Sequence, residues 1–197
     1  MNNISLFLDR DGTINYEVDY LSSLTDIKLI PGSMEAIKEA KMLGWMVFVV
    51  TNQSGIARGI LTEEKLSEIH NALQSELRKD HVSIDAFYYC PHHPDIGQSR
   101  YRKKCMCRKP DIGMLKQAQN DFNVDMTKSF FIGDKMIDIQ TGNNCNIKSI
   151  LVLTGYGNDE YKLCIANNVK IDYVANNLYD AVQYVKRTEI TDQLVSN

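Results

Sequence analysis

Two acidic residues directly follow a short apolar run near the start of the chain. Asp9 and Asp11 come after Ile4–Leu8, which reads as a buried strand. Because side chains alternate along an extended chain, residues two apart point to the same side, so the two carboxylates can share one cleft. Two carboxylates that close repel each other, and such a site usually binds a cation or raises the pKa of one acid. A hard cation such as Mg²⁺ takes carboxylate and phosphate oxygens as ligands.

Two further apolar runs end in polar residues that suit a phosphate. Thr51-Asn52-Gln53-Ser54-Gly55 follows Met46–Val50, and Gly133-Asp134-Lys135 follows Ser129–Ile132. Hydroxyl, amide and backbone N–H donors can hold a phosphate, while the second motif adds a third carboxylate and a cation. Alone, the acidic pair is as easily a turn as a site, TNQSG is more often a turn, and Gly133-Asp134-Lys135 is a weak signal. Three such endings on buried strands together indicate a phosphate, a metal ion and an acidic pair at one sheet edge.

A cluster of metal-ligand residue types lies in the segment 90–110. Cys90, Cys105 and Cys107, with either His92 or His93, would form a tetrahedral site without an open position, which is typical of structural zinc. The C-x-H and C-x-C spacings are tighter than those of common zinc sites, so free thiols are the alternative. The chain has five cysteines, and an odd number argues against a disulfide scaffold.

Short apolar runs alternate with amphipathic stretches along the whole chain. This alternation predicts βαβ units and a doubly wound parallel sheet, an α/β fold in which ligands bind beyond the carboxyl ends of the strands. Two long stretches, Asn15–Ile30 and Cys90–Pro110, interrupt the pattern, and loops of this length are often functional. The predicted strands are Ile4–Leu8, Met46–Val50, Asp85–Tyr89, Ser129–Ile132, Ser149–Leu153 and Tyr173–Ala175. The predicted helices are Ser33–Leu43, one capped by Thr62, Asp111–Phe122, Met136–Asn144 and Leu178–Val185.

The composition is that of an ordinary globular protein and limits the function. Of 197 residues, 44% are hydrophobic and 24% charged, and the net charge is −3. This length predicts a single domain over residues 1–197, and the negative charge argues against a general nucleic-acid binder. No apolar run approaches the ~20 residues of a membrane span, and the N-terminus lacks the basic region of a signal peptide. We therefore expect a cytoplasmic protein without a membrane partner, and a monomer because no apolar heptad pattern is present.

Four motifs in order along the chain resemble those of the haloacid dehalogenase-like (HAD) phosphatases: Asp9-Arg10-Asp11-Gly12-Thr13, Thr51-Asn52, Arg108-Lys109-Pro110 and Gly133-Asp134. The closer resemblance is to the D-glycero-D-manno-heptose 1,7-bisphosphate 7-phosphatases and the related histidinol-phosphatases. It rests on FLDRDGT, VVTNQSGIARG, YYCPHHP and CRKPD-x-GML and covers about residues 4–155. It implies a Rossmann-like HAD core with no large cap domain and a zinc-stabilised loop at about 90–110.

The resemblance also implies the roles of individual residues. Asp9 would be the nucleophile that becomes an aspartyl phosphate, and Asp11 the general acid and then the general base. Thr51 and Lys109 would hold the transferring phosphoryl group. Mg²⁺ would lie between Asp9, the backbone carbonyl of Asp11, and Asp134, whereas a structural Zn²⁺ would be bound by Cys90, His92, Cys105 and Cys107. The implied substrate contacts are Glu17, Val18, Asp19, Tyr20, Asn52, Gln53, Ser54, Arg108 and Lys135.

The implied activity is Mg²⁺-dependent removal of the C7 phosphate from a heptose 1,7-bisphosphate, a step toward nucleotide-activated heptose for bacterial surface glycans. The loop after DGTIN departs from the heptose enzymes, since Asp19 stands where they usually have glycine, although Tyr20 is retained. TNQSGIARG and the spacing of Asn15 and Tyr20 favour the heptose group over the histidinol-phosphatases, which remain the alternative. A non-catalytic zinc-stabilised interaction domain and a nucleic-acid 3′-phosphatase are further alternatives, which the intact acids and the acidic pI disfavour.

Overall fold

A computed structural model of the protein describes residues 4–18, 23 and 26–195. Six strands form one sheet in the order β3-β2-β1-β4-β5-β6, and each neighbouring pair is parallel. This order confirms the doubly wound α/β prediction, and the order in which strands are added reverses between β1 and β4 at the centre of the sheet. The strands are β1 Ser5–Leu8, β2 Met46–Asn52, β3 Ala86–Cys90, β4 Ser129–Gly133, β5 Lys148–Val152 and β6 Tyr173–Ala175.

Helices connect the strands and cover both faces of the sheet. Leu6 and Leu8 of β1 pack in one core cluster, and Phe7 packs in another, as the alternation of side chains along a strand requires. The first cluster includes residues of α1, α2 and α6, and the second includes residues of α3. The helices are α1 Ser33–Met42, α2 Glu63–Arg78, α3 Gly113–Phe122, α4 Met136–Asn144, α5 Gly157–Ala166 and α6 Leu178–Val195.

The observed elements lie close to the predicted ones, with two exceptions. The side chain of Thr62 accepts a hydrogen bond from the backbone N–H of Lys65, so it caps α2 as predicted. The helix α5 was not predicted, because its apolar residues Leu163 and Ile165 face solvent and do not form a periodic apolar face. The last helix is also ten residues longer than the predicted Leu178–Val185, since it runs to Val195.

Two long connections run over the carboxyl edge of the sheet. Within the described ranges, neither 9–32 nor 91–112 contains an α-helix or a strand. Isolated bridges fix their shape instead, between Asn15 and Leu29 in the first and between His93 and Arg102 in the second. Among the described residues, no helix is long and apolar enough to cross a membrane.

Candidate active site

A cleft of about 270 Å³ opens beyond the carboxyl ends of β1, β2 and β4, where the fold predicts ligand binding. The motifs that follow these three strands meet there, together with the segment that precedes α3. Asp19 and Tyr20 lie outside the described residues. The other predicted residues that line the cleft are Asp9, Asp11, Glu17, Val18, Thr51, Asn52, Gln53, Ser54, Arg108, Lys109 and Lys135.

A buried ammonium group lies at the base of the cleft. Lys109 Nζ lies 2.9 Å from Asp9 Oδ1 and 2.6 Å from Asp138 Oδ1, and it donates a hydrogen bond to the carbonyl of Val50. Burial opposes the charge on Lys109, but the Asp138 and Asp9 carboxylates raise the pKa of the ammonium above its ordinary value. Lys109 is therefore a fixed positive charge beside the Asp9 carboxylate.

Three buried carboxylates lie close together, and the positive charge beside them does not balance their negative charge. Oxygens of Asp9, Asp134 and Asp138 lie within 4.8 Å of one another, and none of the three is more than 5% exposed. Burial, together with the neighbouring Asp9 and Asp138, raises the pKa of Asp134 to about 8. Among the residues that the structure describes, none donates a hydrogen bond to the buried Asp134 Oδ1. An all-oxygen donor set with an unpaired buried carboxylate oxygen fits a divalent cation such as Mg²⁺.

Two glycines let the backbone approach Asp134 closely. A Cβ atom at Gly12, whose φ is +80°, would overlap Asp134 Oδ2, and so would a Cβ at Gly155. The backbone N–H of Tyr156 donates to the same oxygen at 2.9 Å, and Thr154 Oγ1 donates to the carbonyl of Gly12 at 2.6 Å. These contacts hold one oxygen of Asp134 in place, whereas the other, Oδ1, has no hydrogen-bond partner among the described residues.

The carboxylate of Asp11 is held by a different set of groups from that of Asp9. Arg10 donates from Nε to Asp11 Oδ1 at 3.0 Å and from Nη2 to Oδ2 at 2.7 Å, so the pair is bidentate. Asn15 and Gln53 donate one further hydrogen bond each. Burial alone would raise the pKa of Asp11, but Arg10 and these amides hold it below its ordinary value. The free site thus keeps Asp11 ionised and fixed in orientation.

The residues at the end of β2 support other site residues as well as lining the cleft. Gln53 Nε2 donates to Thr51 Oγ1 at 2.8 Å. Asn52 accepts a hydrogen bond from the backbone N–H of Lys109 at 3.0 Å and donates to its carbonyl at 3.2 Å. The amide of Asn52 therefore anchors the backbone of Lys109, a role that the sequence did not predict. Ser54 lines the cleft beside them.

A second ion pair lies at the rim of the cleft. Lys135 Nζ lies 2.7 Å from Glu17 Oε2 and 4.7 Å from the centre of the Tyr156 ring. Burial raises the pKa of Glu17 above its ordinary value even though Lys135 is beside it. Val18 also lines this side of the cleft. A cation and a carboxylate thus lie side by side in the cleft, both near enough to Asp9 for its charge to help raise their pKa.

The four predicted zinc ligands lie together. Three sulfur–sulfur distances among Cys90, Cys105 and Cys107 are 3.2, 3.2 and 3.5 Å, and His92 Nδ1 lies 3.4 Å from Cys107 Sγ and 3.7 Å from Cys90 Sγ. The cysteines are free thiols. With Zn–S bonds of about 2.3 Å, the sulfurs of a tetrahedral site would lie roughly 3.8 Å apart. The three sulfurs lie slightly closer together than this, and the donor set is that of a closed Cys₃His zinc site.

The cysteine cluster is joined to the cleft through Arg108. Arg108 directly follows Cys107, and its Nη1 donates to the backbone carbonyl of His92 at 3.0 Å. His93, the competing imidazole, lies outside the cluster, where its Nδ1 accepts from the backbone N–H groups of Asp95 and Ile96. The cluster thus fixes both ends of the segment that presents Arg108 to the cleft.

Three residues of the site were not predicted from the sequence. Asp138 is buried against Lys109. Its place in the sequence, in the first turn of α4, is typical of a helix-capping acid, and it does accept a hydrogen bond from the backbone N–H of Lys135. Arg10 lies between two acids that are expected to face the cleft, so the alternation of side chains predicts that it points away from them. It is nevertheless fully buried. Tyr156 follows a glycine with φ of +56° after β5, and no charge or motif marks it.

Comparisons with known proteins agree with this geometry. The HAD-hydrolase-like family profile matches residues 106–181. The D-glycero-beta-D-manno-heptose-1,7-bisphosphate 7-phosphatase of Photorhabdus laumondii is 46% identical over 152 residues, which are 77% of this chain and 81% of that protein. The enzyme of the same name from Escherichia coli K12 is 38% identical over 186 residues, which are 94% of this chain and 95% of that protein. The chain belongs to the D-glycero-D-manno-heptose-1,7-bisphosphate 7-phosphatase family.

Membership of this family confirms the resemblance carried by the four motifs. A solved structure of the D,D-heptose 1,7-bisphosphate phosphatase from B. bronchiseptica, complexed with magnesium and phosphate, matches with a TM-score of 0.82 and 29% identity. The match covers 93% of this chain and 98% of that one. The HAD core predicted from the sequence is therefore confirmed over nearly the whole chain.

Proposed function

We propose that this chain is a Mg²⁺-dependent phosphatase that removes the C7 phosphate from D-glycero-D-manno-heptose 1,7-bisphosphate. The observation that carries the proposal is the meeting of Asp9, Lys109 and Asp134 at the base of one cleft, with Asp11 beside them. The names of the relatives support the substrate, and the relatives from Photorhabdus and Escherichia are named for the β anomer. The β anomer is therefore the first substrate to test.

In the first half-reaction, an oxygen of Asp9 attacks phosphorus while the bond from phosphorus to the C7 oxygen breaks. The product is an aspartyl phosphate, which splits one difficult displacement into two. Attack by a carboxylate on an anionic phosphate needs positive charge beside both groups, and the buried ammonium of Lys109 supplies it at 2.9 Å from Asp9. Thr51 offers a hydroxyl to the same phosphoryl group.

Asp11 moves the proton in both half-reactions. It donates a proton to the departing C7 oxygen and, as a carboxylate, then takes a proton from the water that attacks the aspartyl phosphate. Because Arg10 holds the pKa of Asp11 below its ordinary value in the free site, Asp11 has to take up its proton when the substrate binds. The negative charge of a bound phosphate raises the pKa of a neighbouring carboxyl and so favours this protonation.

The acidic cluster would hold the magnesium ion. The residues that fit are Asp9 and Asp134 through their carboxylates, and the family resemblance adds the backbone carbonyl of Asp11. When bound, Mg²⁺ supplies the charge that offsets the phosphate and the acids around it. Asp138 keeps Lys109 in place beside this group.

A structural zinc ion on Cys90, His92, Cys105 and Cys107 belongs to the same proposal. The cluster fixes a segment that lacks a helix or strand among its described residues and that ends in Arg108 and Lys109. Ordering these two cations before the substrate arrives reduces the entropic cost of binding.

The two cations at the rim, Arg108 and Lys135, would bind the remainder of the bisphosphate, which carries a second phosphate at C1. Gln53 and Ser54 line the same cleft, and Asn52 acts through the backbone of Lys109. The family resemblance assigns the sugar contacts to the Glu17, Val18, Asp19 and Tyr20 segment.

The same proposal includes the setting of the enzyme. Three thiols held close together without a disulfide suit a reducing compartment, so we propose that the enzyme works in the cytoplasm, toward nucleotide-activated heptose for surface glycans. A single domain over 1–197, a monomeric state and the lack of nucleic-acid binding stay predictions, which limited proteolysis, light scattering and an oligonucleotide titration test.

The decisive experiment measures phosphate release from both anomers of heptose 1,7-bisphosphate and from histidinol phosphate, with Mg²⁺ and with EDTA. Asp9→Asn is the blank, because it keeps the size of the side chain and removes the nucleophile. Turnover of a heptose anomer that needs Mg²⁺ and is absent in the blank supports the proposal. Turnover of histidinol phosphate alone would keep the mechanism and replace the substrate, and activity that persists in Asp9→Asn would refute the mechanism.

A further inference from the structure

A contact that no motif marks lies behind the cleft, between Arg10 and His70 of α2. Arg10 is fully buried, and its Nη1 lies 3.3 Å from His70 Nε2. The N–H groups of arginine can only donate, so Nε2 must accept and the proton of the ring must lie on Nδ1. His70 is therefore a neutral imidazole. Burial, with the charge of Arg10 adding to it, lowers the pKa of His70 to about 3, in agreement with this assignment.

The ring of His70 is held in one orientation by two aromatic residues of β3. It stacks on Phe87 with ring centres 4.6 Å apart and planes inclined by 20°, and the ring of Tyr89 lies 6.2 Å away at 64°. A tilt of the imidazole plane would break the stack. The packing of α2 against β3 therefore fixes the plane of the ring, and the contact with Arg10 Nη1 sets the position of Nε2 within that plane.

We infer that His70 is a positioning residue, which aligns Asp11 for proton transfer by holding the guanidinium plane of Arg10. The two hydrogen bonds from Arg10 set the plane of the Asp11 carboxylate only if the guanidinium itself is fixed. A third contact, from Nη1 to His70, fixes it. The inference rests on the proposed phosphatase activity, because the group that His70 aligns is the one that protonates the departing oxygen.

The test compares two phosphate esters that differ in their need for that proton. An alkyl ester, heptose 1,7-bisphosphate, requires protonation of the leaving oxygen, whereas p-nitrophenolate leaves without a proton. The value of kcat/KM includes leaving-group departure but excludes hydrolysis of the aspartyl phosphate. His70→Leu keeps apolar bulk and removes the acceptor, while His70→Gln restores an acceptor oxygen. Leu73→Ala is the matched control, since it disturbs the core from the same helix without touching Arg10.

For His70→Leu we expect kcat/KM to fall about tenfold on the alkyl ester, part of the 10²–10⁴-fold that general acid–base catalysis contributes. The value for p-nitrophenyl phosphate should stay within about twofold of wild type, because that step needs no proton from Asp11. His70→Gln should recover most of the loss. Leu73→Ala should lower the melting temperature and leave the ratio of the two values unchanged.

Equal losses on both esters in His70→Leu would show a merely structural role and overturn the inference, as would no loss on either. If His70→Leu does not fold, His70→Phe tests the same contact, because phenylalanine keeps a ring to stack on Phe87 and removes the acceptor. A wild-type chain that hydrolyses neither ester would refute the proposed function itself. A wild-type chain that hydrolyses both, with an unchanged ratio in the variants, would refute only the role of His70.

Discussion

Replacing Lys109 with methionine should destabilise the fold as well as stop the reaction. The ammonium lies 2.9 Å from Asp9 and 2.6 Å from Asp138, and none of the three side chains is more than 7% exposed. Removing one partner of such a pair costs about 3–5 kcal/mol, because the charge that stays behind has neither water nor a counter-ion. At about 2–4 °C per kcal/mol for a chain of this size, the melting temperature should fall by roughly 6–20 °C.

The loss of stability in Lys109→Met should also depend on pH, and the carboxylates that lose their partner set the direction of this dependence. Burial raises the pKa of Asp138 to about 6 even with Lys109 beside it, and removing Lys109 raises it further. An acid whose pKa is higher in the folded state binds more protons folded than unfolded, so stability falls as pH rises from about 4 through the folded pKa. The gap between wild type and Lys109→Met should therefore be larger at pH 8 than at pH 5.

Thermal unfolding followed by circular dichroism in EDTA, at pH 5 and pH 8, measures both effects. Lys162→Met is the matched control, since it makes the same substitution in an exposed ion pair, 2.8 Å from Asp159, that solvent screens. If Lys109→Met loses no more stability than this control, the buried pair does not hold the site together. A loss that is equal at both pH values would contradict the assignment of the pH-dependent cost to the ionised form of Asp138.

The remaining predictions concern the metals and the rim of the cleft. Zinc removal by chelation, or the substitution Cys107→Ser, should raise KM for the bisphosphate about tenfold, because Arg108 loses its anchor. The helical circular dichroism signal should persist. Unfolding at the first loss of zinc would contradict this prediction. The metal-free wild-type protein should melt at a lower temperature at pH 8 than at pH 6, because Asp134 and Asp138 hold protons in the folded state that they lose on unfolding. Saturating Mg²⁺ should remove this dependence of the melting temperature on pH. Lys135→Met should raise KM for the bisphosphate in steady-state assays, because it removes a cation that lines the cleft and pairs with Glu17.

The alternation of apolar runs was enough to predict the sheet and the edge at which ligands bind. Buried parallel strands are marked by continuous apolar residues, and the polar residues that follow them mark their carboxyl ends. Asp9, Thr51 and Asp134 were found in this way, because each lies within two residues of the end of such a run. The helix α5 was not predicted because Tyr161, Leu163 and Ile165 are exposed, so its residues form no apolar face.

The pairing of charges inside the site could not be predicted from the sequence. Asp138 and Lys109 are far apart in the chain, and only the folded sheet brings their side chains to 2.6 Å. Arg10 bends back to Asp11, its neighbour, because the strand ends at Leu8 and side chains no longer alternate. His70 carries no motif at all, and its contact with Arg10 depends on how α2 packs against β3. Local patterns identify residue types, whereas such contacts depend on the whole fold.

The close approach of Gly12 and Gly155 to Asp134 has a consequence for the order of folding. The three residues follow β1, β5 and β4, so they meet only after distant parts of the chain have closed large loops and paired as central strands. Helices form from local contacts and require no such closure. During refolding, helical signal should therefore return before hydrolysis does, and enzymatic activity reports completion of the sheet.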